Sequence, residues 1–126
     1  MQKHAVDWFE IPAADFDRAV RFYEAIFAFR MQPMPIPDGP KMAMFPVEPT
    51  QGVGGAICHH PEWYVPSKAG TLVYLNADPD LATVLARIEP AGGKVVVPKT
   101  QISEAHGYMA VFLDSEGNRV ALHARN

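Results

Sequence analysis

The spacing of apolar and polar residues predicts an amphipathic helix near the start of the chain. Asp15 is a good N-cap, because its carboxylate can accept a hydrogen bond from an unpaired backbone N–H of the first helical turn. After it, apolar residues recur at positions 16, 19, 20, 23, 26 and 27. A single apolar stripe of this kind is typical of a helix that covers a sheet. Residues 4–11 are rich in β-formers, so a strand is predicted before the helix.

The second half of the chain repeats this order of elements. Residues 71–76 predict a strand, Asp80 is placed to cap the next helix, and Gly92-Gly93 provides its exit. The apolar positions of this helix are Leu81, Val84, Leu85 and Ile88. The two capping aspartates are separated by roughly half of the chain, which has 126 residues. An internal duplication is therefore predicted.

Short β-type segments follow each predicted helix. They are residues 29–34, 41–46 and 54–58 in the first half and 94–97, 108–113 and 119–123 in the second. Each half alone is too small to hide both faces of its sheet, so the face without a helix should border a cavity. The predicted fold is α+β, with two βαβββ modules (residues 1–60 and 61–126) whose mixed, curved sheets form one domain, 1–126, around a pocket.

Composition and charge argue against several classes of function. The net charge of −3 gives no basic surface for nucleic acid or an anionic membrane. No apolar run approaches the roughly 18 residues of a membrane span, and the N-terminus has no signal-peptide core. Cys58 is the only cysteine, so neither an internal disulfide nor a cysteine zinc cluster can form. A cytoplasmic protein without a nucleic-acid or membrane partner is expected.

Three motifs resemble those of the glyoxalase/bleomycin-resistance/dioxygenase (vicinal oxygen chelate) superfamily. They are Asp-Phe-x-Arg-Ala-x-x-Phe-Tyr from Asp15 to Tyr23, Gly92-Gly93, and Asp-Ser-Glu-Gly-Asn-Arg-Val-x-Leu from Asp114 to Leu122. In order and spacing they cover nearly the whole chain. The resemblance implies a glyoxalase-like fold but no single activity, because the superfamily includes lyases, isomerases, epimerases, ring-cleaving dioxygenases and drug-binding proteins.

The positions that hold metal ligands in the superfamily's metalloenzymes carry other residues in this chain. The resemblance places these positions at Trp8, at Val73 or Thr71, and at Ala121. Tryptophan, valine and alanine coordinate no metal, and threonine is a poor ligand for a divalent ion. We therefore expect neither a metal site of the family type nor a cofactor.

Two polar residues are expected to share the pocket face with these positions. Glu10 follows Trp8 by two residues and His123 follows Ala121 by two, and alternate strand residues point to the same face. Glu10 and His123 are therefore the catalytic candidates, as an acid–base pair or as ligand anchors. A buried pair that only fixes strand register is the alternative. Trp8, Glu10 and His123 are predicted to line one cavity, with Glu10 bonded to His123 or to a ligand.

Several other residues are weaker candidates for the pocket. Tyr108 follows His106 in a segment that could line the pocket mouth, although a solvated loop is favoured. Met44 alternates with Met42 and could contact an apolar ligand, although a core or dimer contact is favoured. Cys58-His59-His60 is expected at the surface, at a strand end. The predicted ligand-binding residues are Trp8, Met44, Thr71, Val73, Tyr108 and Ala121.

Three functional hypotheses follow. The preferred one is a metal-free protein of the bleomycin-resistance type that binds a small molecule in an apolar and aromatic pocket. The second is a metal-independent lyase or isomerase with Glu10 as base and His123 as its partner. The third is a metal-dependent lyase or dioxygenase of the same superfamily. A homodimer is also predicted, because two-module members often complete their barrels or helix contacts across a two-fold axis, and exposed apolar residues need a cover.

Overall fold

Two helices and two four-stranded mixed sheets form the structure, a computed structural model that describes residues 4–48 and 52–126. The first module consists of β1 (Trp8–Pro12), α1 (Phe16–Phe27), β2 (Gln32–Pro33), β3 (Lys41–Met44) and β4 (Gly54–His59). The second consists of β5 (Tyr74–Asn76), α2 (Leu81–Leu85), β6 (Lys94–Ser103), β7 (Gly107–Leu113) and β8 (Arg119–Ala124). The predicted α+β fold of two βαβββ modules is confirmed, whereas the boundary after residue 60 stays a prediction.

Both sheets have the same topology. The strand order is β1-β4-β3-β2 in the first sheet and β5-β8-β7-β6 in the second. In each sheet the first strand of the module pairs in parallel with the last, and the remaining pairs are antiparallel. This agreement between the halves is what an internal duplication would produce.

The two predicted helix caps are present. The Asp15 carboxylate accepts a hydrogen bond from the Arg18 amide at 3.1 Å, and the Asp80 carboxylate accepts one from the Ala82 amide at 3.1 Å. Helix α2 ends at Leu85, earlier than its apolar pattern indicates, and turns continue to Gly92. Gly92 has a φ of 106°, the left-handed conformation expected at this exit.

One hydrophobic core extends through both modules. On β1, Ile11 is buried in this core and Phe9 packs against it, so the alternate residues Trp8 and Glu10 point to the opposite face. Across the module boundary, the ring centroids of Phe22 on α1 and Phe112 on β7 are 6.0 Å apart. The helices therefore cover one face of the sheets, as predicted, and the other face of the first sheet carries Glu10.

The β7–β8 turn, residues 114–118, fastens the second module to helix α1 of the first. The Tyr23 hydroxyl donates to Asp114 Oδ2 at 2.8 Å, and Asn118 Nδ2 donates to the Pro12 carbonyl at 2.7 Å. Glu116 accepts from the Asp15 amide and forms an ion pair with Arg18, with 2.7 Å between Oε2 and Nε. Because all these partners belong to the first module, the turn fixes how the two modules are arranged.

Strand β6 is longer than predicted and reaches Ser103. The solvated loop expected before Tyr108 is found as the exposed turn of a hairpin, residues 104–106. Gln101 pairs with Tyr108, which is half-buried, and the Lys99 ammonium lies 4.6 Å from the centroid of the Tyr108 ring. The strand continues because β7 offers backbone partners along this whole stretch, a long-range condition that local residue types do not reveal. Neither helix in the described part of the chain is long and apolar enough to cross a membrane.

Candidate functional site

A cleft of about 980 Å³ lies between the two modules. The first module contributes Val6, Trp8, Phe9, Phe27, Phe29, Phe45, Pro46, Val47 and Val53. The second contributes Thr71, Leu72, Val73, Tyr74, Leu75, Asn76 and Asp78. A largely apolar concavity with a few polar groups at one side is the usual form of a small-molecule site.

Aromatic rings build one wall of the cleft. Phe45 is in contact with Phe9 and Phe29, with ring centroids 5.4 and 6.0 Å apart, and Phe29 stacks on Phe27 at 5.3 Å. Gly55 lies beneath this wall, and a Cβ there would be 2.4 Å from the Phe9 ring. The Phe9 ring therefore packs directly against the backbone of Gly55 in β4, where a side chain would clash.

Two exposed rings lie at the cleft, one from each module. Trp8 on β1 is 41% exposed and Tyr74 on β5 is 50% exposed, so both offer ring surface that this chain leaves uncovered. Asn76 and Asp78 come after Tyr74 in the chain and, with Thr71, are polar residues of the lining. Among the described residues, Asp78 is the one charged side chain of the lining, and no lysine, arginine or histidine lines it.

Glu10 lies on the helix-free face of the first sheet, where two other side chains hold its carboxylate. The Tyr64 hydroxyl donates to Oε1 at 2.7 Å and the Trp8 indole donates to Oε2 at 3.3 Å. The hydrogen bond to Glu10, followed by burial, raises the pKa of Tyr64 well above its usual value. Glu10 itself is exposed and lines a second cavity of about 120 Å³, which shares Thr71 and Val73 with the large cleft.

Cys58 lies on the same sheet face and is fully buried, which corrects the expected surface position. It packs with Met42 and Ala56, and Tyr64 from the connection between the modules covers them. Burial first, and then the charge of Glu10, raise the pKa of the Cys58 thiol from 9.0 to about 12. A thiol with such a pKa is protonated at neutral pH and is a poor nucleophile.

His59 and His60 point away from this cluster into separate surroundings. His59 Nδ1 is 2.8 Å from the Ala13 carbonyl oxygen, and the His60 ring stacks on Trp63 with 3.9 Å between centroids. Both are half-buried. These three consecutive residues therefore do not act together on one ligand.

The predicted contact between Glu10 and His123 is not formed. His123 Nε2 is 2.6 Å from the His106 carbonyl oxygen, whereas Glu10 is bonded to Tyr64 and Trp8. His123 lines neither cavity, and Trp8 and Glu10 line different ones, so the prediction of one shared cavity was wrong. The alternation of side chains along β1 and β8 was predicted correctly. Glu10 and His123 lie on different sheets, however, and alternation within a strand says nothing about how two sheets are placed. The catalytic roles of Glu10 and His123 stay predictions.

The predicted ligand-binding residues separate into two groups. Trp8, Thr71 and Val73 line the large cleft. Met44 lies instead on the Glu10 face, opposite Ala56 in the register. Ala121 is fully buried and Tyr108 packs against the main core, so these three residues are outside both cavities.

Several lining residues were not identified from the sequence. Phe27, Phe29 and Phe45 look like ordinary core residues, since nothing in their spacing separates a cleft wall from a core. Asp78 could have been found, because it follows Tyr74 and Asn76 at strand alternation. Tyr64 lies in a Pro-rich connection with no periodicity, and its bond to Glu10 depends on the tertiary fold.

The residues of this chain do not fit a metal site of the family type. The positions implied for ligands are occupied by Trp8, by Val73 or Thr71, and by Ala121. Over residues 4–48 and 52–126, no three or more histidine, cysteine, aspartate or glutamate side chains are arranged to hold a metal ion.

A family model and a related sequence both match most of this chain. The family model of the Glyoxalase/Bleomycin resistance protein/Dioxygenase superfamily matches residues 5–122. A glyoxylase-like domain-containing protein from Didymella fabae is 30% identical in an alignment that covers 92% of this chain and 90% of that protein.

Solved structures share the fold at low sequence identity. A glyoxalase I mutant from Zea mays has a TM-score of 0.73 at 19% identity, over 94% of this chain and 46% of that one. A mutant fosfomycin resistance protein from Listeria monocytogenes, complexed with Mn(II) and dihydroxypropylphosphonic acid, has a TM-score of 0.63 at 15% identity, over 99% and 95%. Since the family model spans almost the entire chain and the architecture agrees, the chain belongs to the glyoxalase/bleomycin resistance protein/dioxygenase superfamily.

Proposed function

We propose that this protein binds a small, ring-containing apolar molecule in the cleft between its modules. The observation that carries the proposal is the cleft itself, about 980 Å³ with a wall of packed phenylalanines and two exposed rings, Trp8 and Tyr74. Such a lining favours burial of apolar ligand surface, and rings that are already packed lose little freedom when a ligand binds.

Replacement of Trp8 by alanine is expected to weaken binding of the neutral fluorescent probe N-phenylnaphthylamine by about tenfold or more. The probe loses one stacking surface, and a loss of about 1.4 kcal/mol corresponds to a tenfold change in Kd. Titration of the protein with the probe, followed by probe emission, measures the constant.

Trp63→Ala is the matched control for this titration. Trp63 is also an exposed tryptophan, at 67%, but it stacks on His60 and does not line the cleft. Its replacement should leave the Kd unchanged. Equal affinities for the wild-type protein and both variants, or no probe binding at all, would contradict the proposed cleft.

We propose further that the bound form carries no catalytic metal. Support comes from the residues at the implied ligand positions, Trp8, Val73 or Thr71, and Ala121, since none is a ligand of the usual type. Elemental analysis after native purification should give well under one divalent ion per chain. One tightly held zinc, nickel, manganese or iron ion per chain would overturn this proposal and favour the metal-dependent lyase or dioxygenase hypothesis.

We also propose that the protein is a cytoplasmic homodimer. Trp63 and Val65 are 67% and 69% exposed and do not line the large cleft, so they leave apolar surface that a second copy would cover. Light scattering at micromolar concentration should give twice the chain mass of 13.9 kDa. Val65→Asp should lower the mass toward that of one chain, whereas Val96→Asp, on the half-exposed β6 edge, should not. A wild-type monomer would count against the proposal.

A further inference from the structure

The one charged side chain among the described lining residues of the cleft is acidic. Tyr74 and Asn76 of β5 line the cleft, and so does Asp78, which lies in the turn after this strand. The exposed faces of Trp8 and Tyr74 add to this, because the face of an aromatic ring is electron-rich and attracts cations. Charge and ring surface at the cleft therefore favour positive ligand groups.

The Asp78 carboxylate has an oxygen available for a ligand. The Arg125 amide donates to Oδ1 at 2.9 Å, and no other described hydrogen bond reaches this carboxylate. Within the described part of the chain, the one side-chain ion pair is that of Arg18 and Glu116, so Asp78 forms no ion pair with Arg125. The Asn76 side chain is held by the Asp78 amide, which donates to its Oδ1 at 2.8 Å. Oδ2 of Asp78 therefore accepts no hydrogen bond from the described residues.

We propose that the cleft selects ring-containing ligands that carry a cationic amine or ammonium group, with Asp78 as the charge partner and Trp8 and Tyr74 as stacking faces. This inference rests on the proposed function, since it names the chemical class of the ligand bound in that cleft. It also separates this protein from the fosfomycin resistance protein of Listeria monocytogenes, whose complex holds Mn(II) and a phosphonic acid. An anionic group of that kind would meet the carboxylate of Asp78 and, among the described lining residues, no cation.

Three naphthalene probes with the same ring test the proposal: naphthylmethyl-trimethylammonium, the neutral naphthylmethanol and the anionic naphthoate. Each is titrated calorimetrically into the full-length protein at low ionic strength, where charge effects are least screened. The cation is expected to bind about tenfold more tightly than the anion, with the neutral probe between them, because ring faces and one partly exposed carboxylate each contribute modestly.

Asp78→Asn should lower the affinity for the cationic probe by about threefold, because the ring faces of Trp8 and Tyr74 still attract the cation, and leave the neutral probe unchanged. The amide oxygen of the new side chain can still accept the Arg125 amide. Asp17→Asn changes the net charge equally on the exposed side of α1, away from the cleft, and should preserve the preference. A cation preference that is as large in Asp78→Asn as in the wild type, or a preference for the anion, overturns the inference. If all three probes bind equally, charge selection fails while the proposed cleft stands; if none binds, the proposed function itself fails.

Discussion

Asp114→Ala is expected to lower the free energy of unfolding by about 3 kcal/mol. The carboxylate is only 4% exposed and accepts four hydrogen bonds: from the Tyr23 hydroxyl, from Asn118 Nδ2, and from the amides of Glu116 and Asn118. Each buried donor that loses its partner costs about 1–3 kcal/mol, and some donors will find water or another acceptor. Urea denaturation followed by circular dichroism at pH 7 measures the difference.

Tyr23→Phe is the control that separates the turn from the single bond between the modules. It removes one donor and leaves the three bonds inside the turn, so a loss of about 1 kcal/mol is expected. A loss in Asp114→Ala no larger than in Tyr23→Phe would show that the turn does not depend on the carboxylate. That result would mean that the Asp114 carboxylate does not hold the two modules in their arrangement.

The contribution of Asp114 to the free energy of unfolding should depend on pH with a definite sign. Burial raises the pKa of Asp114 above its ordinary value of 3.8, although hydrogen bonds from Asn118, Tyr23 and Glu116 oppose the shift. An acid whose pKa is higher in the folded state contributes stability that is full below its unfolded pKa and is lost as pH rises through the folded one. The stability advantage of the wild type over Asp114→Asn should therefore shrink as the pH is raised from 3 to 7.

The sequence was informative where structure depends on neighbours along the chain. Asp15 and Asp80 marked the two helix starts, because capping is a contact within one turn. Alternation placed Trp8 and Glu10 on one face, and the Trp8–Glu10 hydrogen bond confirms this. The family was likewise recognisable from the sequence, because the motif that begins at Asp114 forms a turn, and a turn depends on residues that are close together in the chain.

The site was less predictable because it depends on the relative position of two sheets. His123 was assigned the correct strand, yet its partner is the His106 carbonyl, and Glu10 is held by a residue of the connection between the modules. The burial of Cys58 has the same origin, since Tyr64 from that connection packs over its cluster. The tertiary fold decides which side chain a long connection brings to a sheet face. The pattern of residues along one strand does not reveal it.

Cys58 should react with Ellman's reagent at least about a thousand times more slowly in the native protein than in urea. A pKa of about 12, against an ordinary 9.0, lowers the thiolate fraction at pH 8 by about three orders of magnitude. The side chain is also fully buried, so the reagent must wait for the sheet face to open. The absorbance of the released thionitrobenzoate at about 412 nm, followed over time in each solution, gives both rates.

Glu10→Gln tests whether the charge of Glu10 contributes to the raised pKa of the Cys58 thiol. The negative charge of Glu10 raises the pKa of the thiol, so its removal should lower that pKa and speed the native reaction. Glu104→Gln, an equal charge change in the exposed β6–β7 turn, should leave the rate as in the wild type. A native rate within tenfold of the rate in urea would mean that Cys58 is reached by solvent and that Tyr64 does not cover it. If both variants react alike, the thiol is protected by burial alone, and Glu10 acts only on its partners Tyr64 and Trp8.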